Sequence, residues 1–168
     1  TLRKATLGPD HPETLLSMNN LAAAYWTAGR LDKSIPLFEE ALQLLEAKHG
    51  KDHPSTLQTA ANLGVNYRDA GRLEEAIPLL EETLGLQKVA FGPTHPTTLM
   101  CMDNLALAYQ AANKLDLALP LFEQLLKFRK AALGAGHPDT LLSMRNLAVA
   151  YWAGGQLHRS IPLFEDLL

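Results

Sequence analysis

The 168-residue chain has one cysteine, no long apolar run and no surplus of positive charge, and each shortage excludes a class of protein. A lone thiol, Cys101, cannot close an internal disulfide, which points to a reducing, cytoplasmic compartment. The longest apolar stretches are a handful of residues, far below the roughly 20 needed to cross a bilayer, and the N-terminus lacks a signal-peptide pattern. No membrane association is expected. The net charge of −3, with 15 Lys and Arg residues scattered along the chain, offers no footprint for nucleic acid. The glycines stand singly and form no phosphate-cradling loop, and no hydrolase or kinase motif occurs, so neither a cofactor nor an enzymatic activity is expected. What remains, 47% hydrophobic and 20% charged, is the composition of a chain able to bury a continuous core.

What the chain does have is a period. His11 is followed by His53, His95 and His137 at intervals of 42 residues, and the surrounding pattern returns each time. The copies begin HPETLLSMNNLAAAYWTAGR, HPSTLQTAANLGVNYRDAGR, HPTTLMCMDNLALAYQAANK and HPDTLLSMRNLAVAYWAGGQ. A catalytic constellation is needed once per domain, whereas an architectural one is needed once per repeat. The recurrence divides a single array into the end of a preceding helix at 1–10 and repeats at 11–52, 53–94, 95–136 and 137–168, the last cut within its second helix.

Each repeat carries two amphipathic helices. In the first copy Leu15, Met18, Leu21, Ala22 and Tyr25 recur at helical spacing (helix A), and Leu31, Ile35, Phe38, Ala41, Leu42 and Leu45 do so again (helix B). Asp10 followed by Glu13 has capping-box spacing, with Pro12 in the first turn. Gly29, Gly71, Asn113 and Gly155 mark the ends of the A helices, and Gly50, Gly92 and Gly134 those of the B helices, because the left-handed residue past a helix end is usually Gly and sometimes Asn. Pro36, Pro78, Pro120 and Pro162 fall near the first turn of helix B, where at most one backbone bond is lost, so a slight kink or shifted start is expected. One such pair cannot bury both apolar faces alone, so pairs must stack into a two-layer solenoid. Close approach of A and B is expected where Ala22, Gly64, Ala106 and Ala148 face Ser34, Ala76, Ala118 and Ser160.

The set Leu21, Ala22, Tyr25, Gly29, Ser34, Phe38 and Ala41 resembles the tetratricopeptide repeat. The usual period of that repeat is about 34 residues. The 42-residue period, the NNLA core and the GxxHP junction are similar to its kinesin-light-chain-like subgroup. The resemblance implies an all-α fold, a right-handed α-solenoid of antiparallel helix pairs. It also implies a module that binds other proteins, commonly an extended peptide in a concave groove lined by helix A. Leu80 and Thr83 depart from the Phe and Ala of the pattern, and Leu125 and Leu167 enlarge a small position, which should alter packing without abolishing the fold.

Among candidate site residues, the four periodic histidines cannot share a zinc ion. Stacked helices stand about 8–10 Å apart while Zn–N bonds are about 2.0–2.1 Å, so junction or capping roles are expected. His49 and His158 read as isolated, and the sequence around Cys101 offers no His or acid at the spacing of a catalytic dyad. Asn20, Asn62, Asn104 and Asn146 are different, because an amide is a mediocre helix former yet occupies this place in every copy. It can bond both the N–H and the C=O of an extended peptide, and in the resembling family this position touches peptide backbone; a bond to a neighbouring helix or loop is the other reading. Trp26, Arg68, Arg145 and Trp152 are the candidates for selectivity, since exposed Trp and Arg are frequent hot spots, with packing against the next repeat as the alternative. Joined end to end, FEDLL and TLRKATLGPD align with FEEALQLLEAKHGKD, which suggests an internal piece of a longer array. A rival to peptide binding is therefore a structural spacer, or head-to-tail self-association through uncapped ends.

Overall fold

The computed structural model describes residues 2–168, and the described residues form nine helices and no strand. A short α1 (Leu2–Leu7) precedes four pairs: α2 (Pro12–Thr27) with α3 (Leu31–His49), α4 (Pro54–Asp69) with α5 (Leu73–Phe91), α6 (Pro96–Ala111) with α7 (Leu115–Leu133), and α8 (Pro138–Ala153) with α9 (Leu157–Glu165). The first helix of every pair has 16 residues. The chain forms two compact units, Thr1–Pro93 and Thr94–Leu168. Within the first, α2 packs on α3, α3 on α4 and α4 on α5; within the second, α6 packs on α7, α7 on α8 and α8 on α9. The tight connection inside each pair makes the partners antiparallel neighbours.

The helix starts explain the histidine period and correct the assignment of Asp10 as the cap. The cap of α2 is His11, whose Nδ1 accepts the backbone N–H of Glu13 at 3.2 Å. His53, His95 and His137 repeat the contact with the N–H groups of Ser55, Thr97 and Asp139, at 3.3, 3.3 and 3.2 Å. Each satisfies one of the donors that a first helical turn leaves orphaned, and the proline that follows supplies the position where no donor is needed. Asp10 is engaged elsewhere, its carbonyl accepting from Lys48 Nζ at 2.6 Å.

The A helices end as expected. Gly29, Gly71 and Gly155 have φ near +70°, and Asn113 takes the same conformation at +58°. In the first pair Arg30 N–H bonds the Tyr25 carbonyl and Gly29 N–H bonds that of Trp26, both at 2.8 Å, the double closure of a Schellman motif. The same pair of bonds closes α4, α6 and α8. The B helices run continuously through Pro36, Pro78, Pro120 and Pro162. All four prolines are exposed, so a carbonyl deprived of its partner can be met by water.

Ala22, Ala106 and Ala148 are fully buried in the A helices, as are Ser34, Ala76, Ala118 and Ser160 in the B helices. Around the first contact, Ile35, Phe38 and Leu42 of α3 meet Ala60 and Leu63 of α4, so one layer of α3 serves both its own pair and the next. The Ser34 hydroxyl, buried in that layer, is hydrogen-bonded to the Asn66 side chain. Leu21 departs from the expectation of a core position. It is 48% exposed, whereas its counterparts Leu63, Leu105 and Leu147 are buried. Leu63 is covered by the preceding α3.

Candidate functional site

Two neighbouring A helices of the first unit, α2 and α4, flank a groove of about 500 Å³ whose side is closed by the C-terminal end of α3. Its apolar surface comes from Leu15, Leu16, Ala23 and Leu45, and its polar groups from Asn19, Asn20, Ser55, Gln58, Thr59 and Asn62, with His49 and His53 at the junction. None of these side chains is an acid, a lysine or an arginine. Such a cavity, mostly apolar with a few convergent polar groups, is what a preformed ligand site looks like.

The polar side is ordered by local bonds. Asn19 Nδ2 donates to the Leu15 carbonyl at 3.1 Å while its Oδ1 accepts the Thr59 hydroxyl at 3.0 Å, which ties α2 to α4. Gln58 Nε2 donates to Asn62 Oδ1 at 3.2 Å, a contact between successive turns of one helix face. His49 is not isolated: its ring stacks on His53 with centroids 4.4 Å apart. The four-residue step from the last turn of helix B to the cap of the next helix A brings these rings together, and only the first repeat places histidines at both ends of it.

The structure brings together two of the four periodic asparagines, Asn20 and Asn62, on this groove. Asn20 is exposed and Asn62 half-buried. In the second unit Asn104 and Asn146 are half-buried, and Asn146 Nδ2 donates to Asp103 Oδ1 at 3.2 Å. Trp26 and Arg68 lie beyond the groove lining and share one carboxylate. Trp26 Nε1 donates to Asp69 Oδ2 at 2.8 Å, and Arg68 Nε and Nη2 donate to Asp69 Oδ1 at 3.0 and 2.8 Å. Arg145 is exposed on α8, and Trp152, on the same helix, is 63% exposed. Cys101 is buried, and among the described residues no cluster of three or more His, Cys, Asp or Glu side chains could hold a metal. No helix among them is long and apolar enough to cross a membrane.

Two tyrosines on the A helices carry perturbed hydroxyls. Burial pushes the Tyr151 phenol up to about 12, helped by its hydrogen bond to the Glu123 carboxylate and opposed by Arg159, whose guanidinium lies 4.2 Å from the ring centroid. Tyr67 is raised for the same reasons, burial first and then its bond to Glu39, with Arg72 over its ring. Both hydroxyls are spent on tying one pair of helices to the next, through Glu39 of α3 and Glu123 of α7.

Comparison with known proteins agrees with this architecture. The family model of the tetratricopeptide repeat matches residues 1–47, 18–88, 60–131 and 115–168, and so covers the chain. No curated protein matches it by sequence. Among solved structures, a variant of a Podosopora anserina protein described as a kinesin light chain with nearly identical TPR-like repeats superposes with a TM-score of 0.88 at 31% identity, over 99% of this chain and 78% of that one. BtubC (BKLC) from P. vanneervenii gives a TM-score of 0.83 at 21% identity over 92% of this chain and 61% of that one. A Rap protein complexed with Competence and Sporulation Factor gives 0.76 at 13% identity over 91% and 41%, a likeness of fold. With its periodic pattern, its helix pairs and these matches, the chain belongs to the tetratricopeptide repeat family, in the kinesin-light-chain-like form of the solenoid.

Proposed function

We propose that the chain is a non-enzymatic interaction module that holds an extended segment of a partner protein against its A helices. Tetratricopeptide repeats generally mediate protein–protein interaction or scaffolding. The observation that carries the finer reading is the groove between α2 and α4, where Asn20 and Asn62 share one apolar cavity. A peptide in extended conformation keeps its own N–H and C=O groups unpaired, and an amide side chain can meet both. The complex of a Rap protein with Competence and Sporulation Factor supports the reading at the level of fold.

The test is calorimetric titration of a peptide selected against the chain, compared between the native protein and Asn20→Ala/Asn62→Ala. Two lost hydrogen-bonding amides should weaken binding by roughly tenfold to a hundredfold at unchanged helicity. Unchanged affinity would return the asparagines to a structural role. Sedimentation without peptide addresses the other reading: a size that grows with concentration would favour a self-associating array.

A further inference from the structure

We infer that the groove between α2 and α4 takes an uncharged segment anchored by one aliphatic or aromatic side chain, and that the corresponding place in the second unit is closed by its own residues. The inference deepens the peptide-binding reading and rests on it. Its basis is a break in the period. Leu45, on the groove wall, corresponds to Arg129 one unit later, and the Asn19 and Thr59 that bridge α2 to α4 correspond to Asp103 and Ser143.

Arg129 is 8% exposed and reaches across from α7. Its Nη1 donates to Ser143 Oγ at 2.7 Å and to the Asp139 carbonyl at 3.3 Å, and lies 3.7 Å from Asp103 Oδ2. A guanidinium thus stands between α6 and α8, paired where Leu45 presents only methyl groups. Leu107 likewise stands where Ala23 stands. The first unit is left with a mostly apolar cavity lined by amides, hydroxyls and two imidazoles but by no acid, lysine or arginine, and a charged side chain entering it would lose its water without a carboxylate, ammonium or guanidinium to pair with. An apolar anchor gains by burial in the same place. Charge complementarity therefore selects a neutral occupant.

The test is selection of displayed random-sequence peptides on the full chain, followed by fluorescence anisotropy of the enriched peptides. The variants are Leu45→Arg/Asn19→Asp, which transplants the second unit's ion pair, and Ala23→Leu, which narrows the cavity with the residue found at Leu107. The expected consensus has one aliphatic or aromatic anchor and no Asp, Glu, Lys or Arg beside it. Both variants should weaken binding by about tenfold or more, the scale of one lost anchor. If the paired variant loses its helical circular dichroism, Ala23→Leu decides alone. A charged consensus, or unchanged affinity in the folded variants, overturns the inference. Loss of binding in Asn20→Ala/Asn62→Ala alongside that result would leave the peptide-binding reading standing and only the anchor wrong. Failure to enrich any peptide would sink both.

Discussion

Gly64 of α4 lies directly against Leu80 of α5: a Cβ on Gly64 would stand 2.6 Å from both Cγ and Cδ2 of that side chain. The other copies place alanine and phenylalanine at these positions, and in two of them, Ala22 with Phe38 and Ala106 with Phe122, both partners are buried. A flat ring can lie beside a methyl group, whereas the tetrahedral Cγ of leucine projects into the place the methyl would take. The second repeat has therefore changed both partners together.

Gly64→Ala should consequently destabilise the protein although it improves helix propensity. Overpacking costs about 1–3 kcal/mol and the removal of a helical glycine returns about 1 kcal/mol, leaving a net loss of about 1 kcal/mol. Gly64→Ala/Leu80→Phe should be more stable than the single variant, because it restores the pair used elsewhere. Urea denaturation of both variants and of Leu80→Phe completes the double-mutant cycle, and strict additivity would show that the two positions are independent.

His137→Ala should cost about 1 kcal/mol, the usual scale of a lost N-cap, since it leaves the Asp139 N–H without its imidazole acceptor. His137→Asn should recover most of that loss by offering a carbonyl oxygen at the same place. Thermal unfolding of the three proteins separates the cap from other uses of the ring: equal losses in both variants would mean that the histidine matters for something besides accepting this bond.

Stability should fall as pH rises above about 10, and Tyr151 contributes to the fall. Its hydroxyl titrates near 10 when unfolded and at about 12 when folded, so between these values the folded state retains a proton that the unfolded state has released. The stabilisation is complete below pH 10 and is lost as pH climbs through 12. Tyr151→Phe should flatten the slope of unfolding free energy over this window. A slope unchanged by the substitution would assign the alkaline loss to other groups.

Much of this architecture is legible before any coordinates, because a solenoid writes its rules once per repeat. Gly29, Gly71, Asn113 and Gly155 announce the ends of four helices by one physical demand, a left-handed backbone, and the exchange of Gly for Asn at one of them shows which property is being kept. What the pattern hides is whatever depends on neighbours. Leu21 has the residue type of a core position yet is exposed, while Leu63, its counterpart one repeat later, is buried against α3. The period already assigns His11 and its counterparts to junctions or caps, but acids, amides and hydroxyls usually fill a cap, so the sequence leaves Asp10 beside His11 as a second candidate until the Nδ1 contact is seen. Trp26 and Arg68 look like free selectivity residues, yet the carboxylate that holds both comes from Asp69, a residue type found at this position in one copy only.

The exchange between Leu45 and Arg129 leads to the sharpest prediction. Arg129→Ala should destabilise the second unit by about 3 kcal/mol, because the Asp103 carboxylate stays buried while its cation is removed. Arg129→Leu/Asp103→Asn should recover most of this loss, since it removes both charges and installs the residues that stand at positions 45 and 19 in the first unit. Leu107 still narrows the place, so the triple variant with Leu107→Ala is the one expected to bind a second equivalent of the peptide that the first groove selects. Calorimetric stoichiometry reads that directly. A folded triple variant that still binds a single equivalent would show that the second unit is closed by something other than this ion pair and this leucine.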